Sequence, residues 1–219
     1  LTEYDKAGAN ALLDKIGFSK KDGQGFRLRA DGQKIFIAID VIPTLYPDLV
    51  DVCELIKRHW AEIGIDVKVN TIERALFFTR GDNNDHDCQV WNGPGGLDPM
   101  LDPRDFFAQH TQGSRHCVPW AVWYVSGGKD GQEPPEHQKQ RMKLFDDARA
   151  TGDLAKRGAV MKQLFDVAAE EFEILGVCLG VNAFGIAKNN LQNVPQKYPA
   201  SWSYPNPAPV LPQQFWFST

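Results

Sequence analysis

The sequence predicts an α/β domain built on a partly parallel sheet and closed by an extended C-terminal arm. Three observations carry that prediction. A strand, a well-patterned helix and a second strand follow one another from Lys34 to Thr71. A pair of long helices occupies Glu136–Glu171. Beyond Val194 prolines and aromatic residues crowd a segment with no helical period, the composition of an extended strap lying against something else.

The elements follow in chain order. Tyr4 to Ile16 reads as a helix with Ala7, Ala11, Leu12 and Ile16 on one face and Gly17 at its stop. Phe26–Ala30 and Lys34–Val41 flank Asp31-Gly32, a dipeptide suited to the positive φ of a tight turn. Ile35, Phe36, Ile37 and Ile39 make the second of these strands apolar on both faces, as a central covered strand is, and Pro43 ends it. From Asp48 to Ile63, Leu49, Val52, Cys53, Ile56, Trp60 and Ile63 recur at helical spacing, while Glu54, Lys57, Arg58 and Glu62 stay outside. Gly64 stops that helix, and Ile65, Val67, Val69 and Thr71 alternate as a strand. A βαβ order implies a parallel pair with a right-handed crossover.

A short helix over Glu73–Arg80 and a strand over Asp87–Trp91 come next, opening into Asn92-Gly93-Pro94-Gly95-Gly96. A helical turn is expected at Asp102–Phe107 and another begins at Pro119. Glu136–Thr151 and Asp153–Glu171 read as an antiparallel pair broken at Gly152, with Asp153 as N-cap. Ile174–Leu179 and Phe184–Lys188 are read as short strands. The organisation expected is one domain over 1–194 and a strap over 195–219.

Composition excludes several classes. A net charge of -4 gives no basic face to replace phosphate counterions, so no nucleic acid is expected as a partner. No apolar run approaches the roughly 20 residues that span a bilayer. The chain opens at Leu1 without the basic and apolar regions of a secretory signal. Four cysteines lack CxxC spacing; Cys53 and Cys178 read as buried small hydrophobes, and Cys88 and Cys117 are open to pairing in an oxidising compartment.

Several short passages together resemble the family 5 extracellular solute-binding proteins. They are Tyr4-Asp5-Lys6-Ala7 with Ala11 to Phe18, Leu55-Ile56-Lys57 with Ile63-Gly64-Ile65-Asp66-Val67, Asp85-His86-Asp87-Cys88, Phe184 to Pro195, and Ser201 to Pro207. The resemblance runs in order over nearly the whole chain. It implies a periplasmic-binding-protein-like (type II) lobe, the second large lobe of a two-lobed receptor whose C-terminal strap returns to the first. It implies further a periplasmic location, a small-molecule or peptide ligand held between lobes, and an ABC permease and the N-terminal lobe as partners.

Candidate ligand residues follow from position. The loop containing Asn92, Gly93, Gly95 and Gly96 leaves a strand's carboxyl end, where open α/β sheets place ligands, and a plain turn is the alternative. It lacks the lysine and hydroxyl of a phosphate loop. Peptide-binding relatives often carry an aspartate here that meets the ligand's amino group; this loop is glycine and proline, with Asp98 the first acid after it, so the reading leans towards an oligosaccharide-like solute. Trp91, Trp120 and Trp123 are candidate stacking rings, or core residues. The short helix resembles a pocket-lining helix of the family, which implies Glu73 and Arg80 as candidate pocket residues, Arg80 as a carboxylate clamp; a surface ion pair or a solvated face is the alternative.

His86 with Asp85 and Asp87, and His110 with His116 and Cys117, lack the spacing of a metal site. No cofactor is expected. No G-x-S-x-G or H-E-x-x-H motif is present, and Asp98, Asp102 and Asp105 read as turn and cap residues. Binding without bond making is the reading; a hydrolase or transferase, or an interaction domain using the aromatic strap, are the alternatives.

Overall fold

A computed structural model of the chain describes residues 3–45, 47–93, 99–109, 114, 116–177, 184–199 and 210–218. The chain divides into two compact units, residues 1–91 and 92–219.

The first unit contains helix α1 (Lys6–Lys15), strand β1 (Phe36–Val41), helix α2 (Pro47–Ala61), strand β2 (Asp66–Thr71), helix α3 (Arg74–Asp82) and strand β3 (Cys88–Gln89). The sheet order is β2-β1-β3, with β1 parallel to both neighbours. The expected βαβ unit is therefore present, with Phe36 registered on Asp66 and Val41 on Thr71. Buried Ile39, Val41 and Val67 pack with Cys53 of α2, and Leu49, Ile56 and Trp60 extend that layer. Alternation sends Asp40 to the other face. The expectation of a strand apolar on both faces is corrected here: Asp40 is buried and Phe36 is exposed.

Arg27 locks the start of this unit and is 1% exposed. Its Nε donates to the Ile63 carbonyl at 2.7 Å, Nη1 to Asp14 and the Phe18 carbonyl, and Nη2 to Asn10 Oδ1 at 2.6 Å. The backbone N–H of Arg27 donates to the Gly64 carbonyl at 2.7 Å. One guanidinium thus satisfies a carbonyl at the end of α2 and anchors α1 by polar groups. That anchoring corrects the predicted orientation of α1. Its half-buried residues are Gly8, Ala9, Asn10 and Leu13, whereas Ala7, Ala11, Leu12 and Ile16 face outward. Asp31-Gly32 makes the predicted turn, Gly32 at φ 79°, but only isolated bridges pair Lys21 with Arg27 and Leu28 with Lys34.

The second unit contains helices α4 (Val118–Val125), α5 (Glu136–Ala150) and α6 (Leu154–Glu171), strands β4 (Leu191–Gln192) and β5 (Trp216–Phe217), and a 3₁₀ turn at Pro212–Gln214. Pro119 lies in the first turn of α4, and Asp153 caps α6 by accepting from the Lys156 N–H at 2.9 Å. The core joins Phe107 and Ala121 to Met142, Phe145 and Ala148 of α5 and Met161 and Leu164 of α6. Residues 103–106 form a turn closed by the Phe106 N–H on the Pro103 carbonyl.

Two strand expectations are corrected. Residues 174–177 and 184–188 have no strand partner among the described residues, and Phe184 and Ile186 are exposed; 178–183 lie outside those residues. Instead Leu191 pairs with Phe217 and Gln192 with Trp216, antiparallel, so the end of the strap closes on its own chain. Its turn at Pro212–Gln214 also departs from a fully extended arm.

Gly64 tests the packing around Arg27. It sits at φ +89°, and a Cβ would stand 2.8 Å from Arg27 Cγ and 3.0 Å from the Gly25 carbonyl oxygen. Gly64→Ala should destabilise the chain by roughly 2–4 kcal/mol from strain and clash together. Gly17→Ala, also at positive φ but with nothing within 4 Å, should cost about 1–2 kcal/mol. Urea midpoints of the two variants check this, and equal losses would remove the packing role assigned to Arg27.

Candidate functional site

A cluster of polar side chains lies at the carboxyl ends of β1 and β3. Asp40, Asn70 and Gln89 stand in register, one from each strand, because Asp40 pairs with Asn70 on one side and Gln89 on the other. The Asp40 carboxylate is 1% exposed and accepts from Arg80 Nε at 2.8 Å and Asn70 Nδ2 at 3.2 Å. Gln89 Nε2 donates to the Phe77 carbonyl at 2.7 Å. Arg80 Nη1 also reaches Asp85 at 3.2 Å. Asp87 accepts the Ala38 backbone N–H at 2.9 Å, which completes the hydrogen bonding of β1 where β3 is too short to do so.

Trp91 closes this end. Its ring lies 5.6 Å from both Phe77 and Phe78, tilted on the first and edge-on to the second. Asn92 and Gly93 follow it and are exposed. Gly95 and Gly96, and Asp98 with them, lie outside the described residues. Glu73 occupies the N-cap position of α3, is exposed, and makes no capping bond with its side chain. Arg80 is partly exposed and serves two carboxylates, the buried Asp40 through Nε and the exposed Asp85 five residues on through Nη1.

Trp120 and Trp123 belong to the second unit and pack against its core, the reading set beside stacking in the sequence. Lys139 Nζ lies 5.9 Å from the Trp123 ring centre. Cys88 and Cys117 are both free thiols, as is the buried Cys53, and burial raises the pKa of all three. Cys178 and His110 fall outside the described residues. Among the described residues no group of three or more His, Cys, Asp or Glu side chains is arranged to hold a metal ion.

A second polar cluster lies in the second unit. Glu173, just beyond α6, accepts from Arg141 Nη2 at 2.5 Å, from Gln138 Nε2 at 3.0 Å and pairs with His137 Nε2 at 2.9 Å. His116 Nε2 lies 3.4 Å from the same carboxylate, in a side chain that is 1% exposed. Burial drives the His116 pKa down to about 4; Glu173 acts to raise it and Arg141 to lower it further. Burial alone would raise the Glu173 pKa, but the hydrogen bond and charge of Arg141 bring it below the usual carboxylate range.

Sequence reasoning did not single out Asp40, Asn70, Gln89 or Glu173. For Asp40 the signal was available: an acid inside the apolar run Ile35–Ile42 has to find a buried partner. Glu173 gave none, because its partners lie more than thirty residues away on α5.

The sequence model of the bacterial extracellular solute-binding proteins, family 5 Middle, matches residues 1–115. That is more than half of the chain. The chain belongs to this family.

This family 5 chain is 27% identical over 166 residues to the dipeptide-binding protein of Escherichia coli (strain K12), covering 73% of the chain and 25% of that protein. It is 26% identical over 174 residues to the di/tripeptide-binding protein 1 of Pseudomonas aeruginosa (strain UCBPP-PA14), covering 78% of the chain and 27% of the relative. It thus spans about a quarter of the length of either. Among solved structures, an oligopeptide-binding protein OppA superposes with a TM-score of 0.75 at 26% identity, over 99% of the chain and 36% of the other. The periplasmic binding protein MelB in complex with stachyose, from Agrobacterium fabrum C58, gives 0.64 at 18% identity, over 79% and 25%. The fold is α/β of the periplasmic-binding-protein-like (type II) class, and the matched family is one of binding proteins.

The His116–Glu173 cluster predicts acid sensitivity. Unfolded, His116 takes up a proton near 6.5; folded, it resists until about 4. Stability is therefore full above pH 6.5 and falls as pH drops towards 4, by up to roughly 3 kcal/mol. Glu173 adds loss in the same direction below the ordinary carboxylate pKa of 4.5. Denaturation midpoints between pH 7.5 and 4.5 should fall steeply, and His116→Gln should flatten the slope; an unchanged slope in that variant would remove the histidine from the account.

Proposed function

We propose that this chain is a ligand-facing lobe of the solute-binding component of an ABC importer. In this reading a second lobe supplies the other wall of the cleft, a membrane permease receives the solute, and the protein works in the periplasm. Capture is noncovalent, by closure onto a small polar solute, and ligand shifts the open and closed populations by differential contact. The observation that carries the reading is the family match across residues 1–115, a span that holds the β3 carboxyl end with Trp91, Asn92 and Gly93.

The ligand residues proposed are Trp91 as a stacking wall and Asn92, Gly93, Gly95 and Gly96 as backbone and amide partners. Glu73, exposed at the start of α3, is a candidate polar contact. Trp120 and Trp123 are secondary candidates, since both contribute to packing. Residues 195–219 are proposed to return to the first lobe, with exposed Trp216 and Phe217 as apolar anchors.

A short peptide is the first choice of solute, because two relatives 26–27% identical are named for binding di- and tripeptides. An oligosaccharide-like solute is the second, favoured by the absence of an acidic residue from Asn92-Gly93-Pro94-Gly95-Gly96.

A thermal-shift screen of the two-lobed protein with di- to pentapeptides and with plant-type disaccharides tests the reading. Peptides alone should raise the midpoint; a shift from sugars alone would reverse the order of solutes, and no shift from either would sink the receptor assignment. Mass spectrometry of the incubated ligand should show it intact. Trp91→Ala should weaken binding about tenfold, the equivalent of 1.4 kcal/mol.

A further inference from the structure

We infer that the Asp40–Arg80 ion pair is a positioning clamp: it fixes α3 on the sheet and so sets where the Trp91 ring stands. The meaning of Trp91 as a ligand wall rests on the proposed function, but the clamp is a statement about the fold.

The row Asn70–Asp40–Gln89 crosses all three strands on one face, and α3 meets it through polar contacts. Arg80 in the last turn bonds Asp40, and the Phe77 carbonyl one turn earlier bonds Gln89. The approach is close. A Cβ on Gly81 would stand 3.0 Å from Gln89 Oε1, so a glycine at that turn lets the helix sit down on the row. These directional bonds fix the rotation and height of α3, which apolar contact alone leaves free.

Phe77 and Phe78, the two rings that hold Trp91, lie on α3 between the clamp and the helix start. Phe77 is fully buried, so moving α3 moves the surface on which Trp91 leans. A buried ion pair adds little net stability compared with well-packed apolar replacements, whereas it can enforce one arrangement. Arg80 therefore acts through Trp91, and its Nε is already held by Asp40 before any ligand arrives.

The test reads Trp91 directly. The indole N–H resonance of Trp91, assigned by its loss in Trp91→Phe, and acrylamide quenching are compared in Asp40→Asn, Arg80→Lys, Arg80→Met and the double variant Asp40→Leu/Arg80→Met. In Arg80→Met and the double variant the Trp91 resonance should shift and broaden and quenching should rise about twofold, with the Trp120 and Trp123 resonances unmoved. Arg80→Lys, which keeps the charge, should restore part of the wild-type signal, and Asp40→Asn should lose it while remaining isosteric. The double variant should keep a near-normal urea midpoint. A Trp91 signal that superposes on wild type in these folded variants, or changes spread equally over all tryptophans, would overturn the clamp. Titration of the two-lobed protein with dialanine separates the two ideas. If wild type binds neither dialanine nor the sugars, the receptor reading fails while the spectroscopic result still decides the clamp.

Discussion

The first unit depends on one constraint: β1 is the central strand of a parallel sheet and carries side chains into the interior on both faces. Parallel pairing with β2 runs over six registered positions and with β3 over two, and the Asp87 carboxylate takes the Ala38 N–H where β3 is too short. On one face the cover is apolar, with Ile39 and Val41 against α2. On the other it is polar, with Asp40 carrying a carboxylate into the interior. A buried charge of that kind persists only with partners, and Arg80 and Asn70 meet both of its oxygens. The position of α3, and through Phe77 and Phe78 that of Trp91, follows from meeting this requirement.

Arg27 plays the corresponding part at the opposite end. Its donors converge on Asn10, Asp14, Phe18 and Ile63, so α1 is joined to the unit through its polar side. The consequence is that Leu12, and Ile16 just past the helix end, are turned outward. In a free-standing domain this is an unusual use of an amphipathic helix, whose apolar stripe ordinarily faces the core.

The second unit solves a similar problem with helices. Arg141 and Gln138, both fully buried on α5, each donate to Glu173 just past the end of α6, and the other Arg141 donors go to the His137 and Phe106 carbonyls. Phe172 stands between helix and carboxylate in the left-handed region at φ 51°, which turns the chain so that Glu173 can reach α5. Strain at one residue is offset by charge-assisted hydrogen bonds at the next. Around this latch the aromatic core of Phe107, Phe145 and Tyr124 packs edge-on or tilted, with Trp120 and Trp123 against it.

The sequence by itself determined the local elements whose signals are periodic: α2, the βαβ order, the α5–α6 hairpin with Asp153 as cap, and the turn at Gly32. Those follow from backbone preferences and from apolar residues repeating every two or 3.6 positions, which any local reading detects. Family membership was legible too, because short passages such as Ile63-Gly64-Ile65 keep their order along the chain. Tertiary structure decided the rest. The face α1 turns inward depends on an arginine seventeen residues from Asn10, and the pairing of Leu191 with Phe217 depends on a segment that returns from far along the chain. For the candidate site the sequence pointed to the loop after β3 and to Trp91 as candidates, but that Arg80 meets a buried aspartate forty residues away was not legible in it. Which polar groups stay available to a ligand is settled by which buried charges need them first, and that is a property of packing.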